Sequence, residues 1–433
     1  MQRLGGSRHG GARSQVGGRP SHRLDRCVRG IVVSLIAVGA GWAAAEAEPR
    51  FETPPVLDAP QLVAPWAVRG PRYRIADKVP TDGFQALFTI VSDFGTFKVL
   101  GEDLLGARLA EIAALDKLAS VTKTEVYTRA AAVTGARPAR ATGTALPQAA
   151  ERAVGVGRLF DSTTAGGRRV AEATTPPGAR AGARTSVANQ GSPSIVGWER
   201  ERRRLAKQLG VDPYTSNHVL ATRLDDVAWV SSAANLGLDV AMPLGPFSMA
   251  FPLTSVAGDL IWGTPPAELI ALNQKNLRAM GVGDAAAQAF SRNRHFSLSG
   301  QTALVVYLTG FDGVAGRPDV VALANTVVSE NEARFLIWAV QILTRYQENV
   351  GGITALQALG RVPNARLRGG GLLIAAGVDY VSWTRRLDAF ARRPEFREVK
   401  DKTAWISGKF SPRAKQGLTD LGWAIREDVA PAK

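Results

Sequence analysis

The sequence predicts an α+β fold, with a mainly α-helical central domain between a small N-terminal β-meander plus helix module and a small C-terminal α/β layer. Three patterns predict it. Strand-forming runs separated by turn residues fill 72–100, and the apolar period then switches to helical spacing at Leu105, Leu109, Ile112 and Leu115. From 195 to 350 most segments have a helical period and open on capping residues. Beyond Val350-Gly351-Gly352, strand-like and helix-like runs alternate, as a layered α/β arrangement requires.

In chain order, an export signal comes first. Arg23, Arg26 and Arg29 precede the apolar run 31–42, and Ala43-Ala44-Ala45 before Glu46 supplies a small-residue cleavage site. The run is too short for a spanning helix, and the lack of a twin-arginine pair favours general secretion. The expected address is the periplasm or cell envelope. Cys27 lies ahead of the run, so the mature chain is expected to lack cysteine, and with it disulfides, thiolate nucleophiles and Cys-ligated metals.

The composition, 45% hydrophobic and 21% charged over 433 residues, is that of globular material. A formal net charge of +15 suggests a nucleic-acid partner until it is divided along the chain. Residues 1–45 hold seven arginines against Asp25, leaving 46 basic and 37 acidic side chains beyond them. Signs alternate there without a long basic block, which disfavours nucleic acid.

Residues 46–71, rich in Pro and Ala, predict an extended lead-in. The module 72–134 holds strands at 72–77, 84–91 and 96–100 and a helix at 102–119 covering one face of the sheet. Residues 135–194 turn to Ala, Gly, Arg, Thr and Pro, with eight arginines against three acids. Such a segment buries too little apolar surface to offset its ordering entropy, so a low-complexity tether is expected. Within it, 146–160 predicts a weak helix with Val154, Leu159 and Phe160 on one face. Its Arg152 and Arg158 would suit an anionic membrane surface, although Gly155 and Gly157 weaken the helix.

The helical core domain spans 195–350. A charged amphipathic helix over 195–209 stops at Gly210, Asp212-Pro213 turns the chain, and Ser216 or Asn217 caps a helix with Leu220, Leu224, Val227 and Ser231 on one face. Later, 332–346 is apolar in every direction, Trp338 included, and predicts the buried central helix. In the C-terminal layer, 351–433, strands are expected at 365–368, 372–376, 403–407 and 423–426, and helices at 381–393 and 411–421.

The string Leu-Gly-Val-Asp-Pro-Tyr-Thr-Ser-Asn-His-Val-Leu at 209–220 resembles a motif of a group of uncharacterised exported bacterial proteins. The resemblance extends from the region of Tyr73 to Gly422-Trp423, and 161–194 differs most. His218 stands where that motif has proline, a natural first helical residue, which implies a looser cap. No activity is attached to the group, so the resemblance implies export and architecture alone.

An uncharged run, 240–258, lies between Asp239 and Asp259. Its length suits a membrane span, but Pro243, Pro246 and Pro252 would break a straight helix three times. A buried hairpin is expected, with pocket lining and membrane insertion as alternatives.

Chemistry-bearing motifs are sparse. His218 and His295 stand far apart in no metal-ligand spacing, and neither G-x-S-x-G nor a Walker loop occurs. Ser120-Val121-Thr122-Lys123 matches S-x-x-K without its companion motifs. Asp225/Asp226 and Glu330/Glu332 are acid pairs whose helical spacing points them apart. Around the 209–220 motif, Asp212, Tyr214, Asn217, Asp225 and Asp226 are the polar residues a pocket would use. Ser407-Gly408-Lys409-Phe410-Ser411-Pro412 joins a strand to a capped helix, making Lys409 and Ser411 a candidate anion seat.

The first expectation is therefore a non-enzymatic envelope protein that binds or scaffolds, with no cofactor and no metal. Ten basic against four acidic groups in 385–415 suggest an anionic lipid or wall polymer as partner, or a membrane surface. One alternative is an envelope hydrolase of cell-wall or polysaccharide material, which two carboxylates facing one cleft beside 240–258 would favour. Another is a membrane-associated protein using that run.

Overall fold

The computed structural model describes residues 50–133, 155–161, 195–240 and 255–429, and its class is mixed α+β. The export signal, most of 135–194 and positions 241–254 of the uncharged run lie outside the described residues. The chain opens with β1 (Val56–Asp58), α1 (Ala59–Leu62), β2 (Arg69–Gly70), β3 (Tyr73–Ile75) and β4 (Lys78–Pro80). A hairpin, β5 (Leu87–Ser92) and β6 (Gly95–Leu100), completes an antiparallel sheet of order β2-β3-β5-β6, while β1 pairs with β4. Period-two alternation along the hairpin places Phe88, Ile90, Phe97 and Val99 in the core.

Helix α2 (Glu102–Val121) packs Leu105, Leu109 and Ile112 with these side chains. Its Ala114, Leu115 and Leu118 pack with α3 (Glu125–Val133), α4 (Ile195–Leu209) and α5 (His218–Ala233). The helix is thus buried on two sides, where a cover over one face of the sheet was expected, and Pro49–Lys433 forms one compact unit.

The chain continues through α6 (Ser255–Gly263), α7 (Pro266–Ala279), α8 (Asp284–Arg292), α9 (Leu298–Thr309), α10 (Arg317–Ala324) and α11 (Glu330–Asn349). On α11, Phe335, Leu336, Ile337, Val340, Ile342 and Leu343 are buried, as an all-round apolar pattern predicts. Trp338 is the exception. It is only half-buried, because it faces Gly377 and an open cleft rather than another helix. Among the described residues, no helix is long and apolar enough to cross a membrane.

The C-terminal layer contains β7 (Ile353–Leu359), β8 (Val362–Leu367), β9 (Leu372–Ala376), β10 (Tyr380–Val381), α12 (Arg385–Ala391), β11 (Lys402–Ile406), β12 (Lys409–Phe410), α13 (Pro412–Asp420) and β13 (Trp423–Arg426). Its five-stranded sheet has the order β13-β11-β9-β8-β7, with β9, β11 and β13 parallel. The helix expected from 381 begins only at Arg385. Val381 is held in β10 opposite Phe410, and Thr384 caps the helix.

Inside the expected tether, 156–160 forms a 3-10 turn built into the core. Phe160 stacks on Phe84 with ring centroids 4.3 Å apart and meets Phe390 edge-on at 5.2 Å. Arg158 is bound to Glu332, and Leu159 and Phe160 are buried, so these three residues are not presented to a membrane; Arg152 and Val154 lie outside the described residues. The Phe84, Phe335 and Phe390 side chains supply the apolar partners that composition alone could not reveal.

The first turn of α11 ties the layers together. Glu330 takes Arg108 of α2 at 3.0 Å and the Ser216 hydroxyl at 2.7 Å. Asn331 exchanges carboxamide hydrogen bonds with Gln85, Glu332 holds Arg158, and Arg334 holds Asp103 at 2.5 Å. Arg108 also pairs with buried Glu111 at 2.8 Å. Removing one partner of a buried pair strands the other, so Arg108→Ala is expected to cost about 3–5 kcal/mol in denaturant unfolding. Arg129→Ala, breaking the exposed i,i+4 pair with Glu125, is the control, expected to cost about 0.5 kcal/mol or less. Equal losses would refute the assignment of the Arg108 cluster as a buried knot.

Candidate functional site

The residues of the 209–220 motif are consumed by structure. Asp212 accepts from Tyr214 N at 2.8 Å, from the Ser297 hydroxyl at 2.9 Å and from the Ser299 hydroxyl at 2.5 Å, fastening the turn to the start of α9. Burial pushes its carboxyl up, and these three donors oppose the shift. Asn217 caps α5 through Val219 N at 3.1 Å and Leu220 N at 3.4 Å, and its amide donates to Glu111. Thr215 also donates to Glu111. Tyr214 lies by Arg203; burial raises its phenol and Arg203 opposes the rise. Asp225 faces Arg202 at 2.9 Å, whereas Asp226 is near Tyr127, so the two acids do not converge.

The proposed anion seat already holds a carboxylate. Ser411 caps α13 through Ala414 N at 3.0 Å and donates its hydroxyl to Glu52, which also accepts from Trp383 N. Lys409, two residues earlier in the chain, is exposed. Its charge acts instead on Glu102, a residue that sequence reasoning passed over.

Glu102 belongs to a cleft of about 410 Å³. The cleft opens where β9 runs into Gly377-Val378-Asp379 and β11 into Ser407-Gly408, the carboxyl ends of parallel strands where open α/β sheets characteristically bind ligands. The start of α2, one side of α11 and the lead segment with Leu62 and Trp66 complete the walls. Gly408 must be glycine, because a Cβ there would lie 2.0 Å from the Asp379 carbonyl oxygen.

Asp379 staples this region. Its two oxygens accept from Ala86 N at 2.8 Å and from Glu102 N at 3.1 Å, joining the N-terminal sheet and the start of α2 to the end of β9. Burial nevertheless pushes its carboxyl up to about 7, against those two amides and with help from Asp82 and Asp103. Glu102 remains open to solvent in the cleft. Enclosure by the surrounding protein, then Asp379 and Asp428, push it up to about 8, and Lys409 opposes them. The two groups act on each other, so their titration belongs to the pair rather than to either residue.

Chemically, the site offers one carboxyl that exchanges protons near neutrality, a paired Asp103 and Arg334, and an exposed Trp66 on an otherwise largely apolar wall. Among the described residues no group of three His, Cys, Asp or Glu side chains is arranged to hold a metal ion. Glu102 and Asp379 are 277 positions apart, and of the stretches the sequence marks for chemistry, Ser407-Gly408 alone reaches the described cleft wall. No protein-family model, curated protein or solved structure matches the chain.

Following Glu102 by NMR, Asp379→Asn should lower its midpoint from about 8 towards the usual carboxylate range, because a neighbouring negative charge is removed. An unchanged midpoint would remove Asp379 as a cause. With folded-state values above the unfolded ones, the pair favours folding at acid pH and loses that contribution as pH rises towards 8.

Proposed function

We propose that the protein is exported to the bacterial cell envelope and there binds an envelope component in the cleft between α2, α11 and the ends of β9 and β11. The cleft itself carries the reading: its volume of about 410 Å³ falls within the usual range for ligand sites, about 300–1,000 Å³. Its walls combine apolar side chains, the exposed indole of Trp66 and few polar groups, as small-ligand sites commonly do. The export half of the proposal rests on the basic lead, the apolar run 31–42 and the small residues at 43–45.

Hydrolysis of wall or polysaccharide material is the second reading, favoured by the proton-holding Glu102. Paired-carboxylate hydrolysis needs a second carboxylate free to attack or to activate water. Both oxygens of Asp379 are engaged by backbone amides, which leaves Glu102 without a working partner there. Binding without turnover is the stronger reading.

The test incubates the purified mature chain with soluble cell-wall digests and lipid extracts, following Trp fluorescence and new reducing ends. Saturable binding without product formation is expected. Trp66→Ala should weaken it about tenfold, or ~1.4 kcal/mol, the scale of one lost aromatic contact. Wall cleavage abolished by Glu102→Gln would replace binding with hydrolysis, and binding indifferent to Trp66 would move the ligand away from this cleft.

A further inference from the structure

The charges around the cleft are unevenly satisfied. Asp103 is spent on Arg334 at 2.5 Å, and both oxygens of Asp379 are spent on backbone amides. The side-chain carboxylate of Glu102 forms no hydrogen bond or ion pair with any of the described residues; only its backbone N–H is engaged, by Asp379. It lies in a cleft whose walls include Leu62, Leu105, Phe335 and Val378 and the indoles of Trp66 and Trp338. An anionic ligand would meet Glu102, Asp379 and, nearby, Asp428, with Lys409 alone working against them on Glu102. Where Glu102 is ionised, a neutral ligand would cover its carboxylate and leave it without a counter-ion, a costly burial. A cation on an apolar body satisfies the carboxylate and the walls together, and indole faces add their own attraction for it.

We propose that the cleft binds a ligand bearing an alkylammonium group on an apolar body, with Glu102 as its counter-ion. This rests on the reading of the cleft as a ligand site and names the chemical class that site takes. The ligand pairs with ionised Glu102, so complex formation below about pH 8 releases the proton of the Glu102 carboxyl. The other charged groups facing the pair are Asp103 and Arg334 on the cleft wall, Asp82 towards Asp379, and Lys409 and Asp428 towards Glu102. Affinity for the cation should therefore rise from pH 6 towards pH 8.5 as Glu102 ionises.

The experiment titrates the folded mature protein with hexylamine, hexanol and hexanoate, three probes of one chain length, and reads NMR shifts at Gly377, Glu102 and Gly408. Hexylamine should bind about tenfold more tightly than hexanol, or ~1.4 kcal/mol, with hexanoate weakest. Glu102→Gln, at an exposed position, should abolish that order while leaving hexanol binding intact. Equal binding of amine and alcohol, preference for hexanoate, or an amine preference that survives Glu102→Gln each overturns the proposal. If an envelope fraction still shifts the same resonances when the amine preference is absent, the ligand class fails and the cleft reading stands. If neither probe nor fraction shifts them, both fail.

Discussion

Two carboxylates in the first turn of α11 have been drawn out of water and paired with arginines from separate parts of the chain. Glu330 and Glu332 stand two residues apart on a helix and so point to different sides. One side meets Arg108 of α2 and Ser216 of the 209–220 motif; the other meets Arg158 of the embedded 3-10 turn, with Arg361 of the C-terminal layer 4.0 Å away. Burial raises Glu330, while Arg108, Arg334 and Ser216 overcome it and leave its carboxyl below the usual range. Attraction of this kind is largely offset by desolvation, so we read the pairs chiefly as fixing geometry rather than as adding stability. They determine which helix end meets which loop.

The cleft inherits that geometry. With α11 tied to α2 through Arg108 and through Arg334 with Asp103, the start of α2 cannot drift from the end of β9. Asp379 then closes the remaining gap by accepting from Ala86 and Glu102, both backbone donors. The same bonds hold a carboxylate beside Glu102 and prevent it from turning away. A connection made for packing thus adds to enclosure, the larger cause, in raising the Glu102 carboxyl. Structure and site chemistry are linked here by one side chain.

Elements with strong local patterns were legible in the sequence. The strands at 372–376 and 423–426 coincide with β9 and β13, and the hairpin and α2 follow from alternation and a change of period. Strand β7 was missed because Ile-Thr-Ala-Leu-Gln-Ala-Leu is rich in helix-formers, and pairing with β8 overrides that preference. Ser411 was legible as a cap, but Glu52, 359 positions away, was not legible as the anion it would meet. The motif at 209–220 stood out, yet whether Asp212 and Asn217 face a ligand or other helices depends on Ser297, Ser299 and Glu111, which no local pattern connects to them.

Charge shows the same limit of local reading. The excess of basic groups in 385–415 suggested an acidic partner, but part of it is matched by acids outside the stretch, Arg386 by Asp161 at 2.6 Å and Lys415 by Glu427 at 2.7 Å. Such exposed or partly exposed pairs stabilise the fold only slightly, but they lower the potential that a distant anion would feel. In the cleft the balance is reversed, since Arg334 is committed to Asp103 while Glu102 keeps no counter-ion among the described residues. A chain that is basic on average can therefore present a locally acidic site. Recognition follows the local field, because the Debye length is about 8 Å at physiological ionic strength and most distant surface charges are screened from the ligand. The polarity of the ligand should thus be opposite to that suggested by composition.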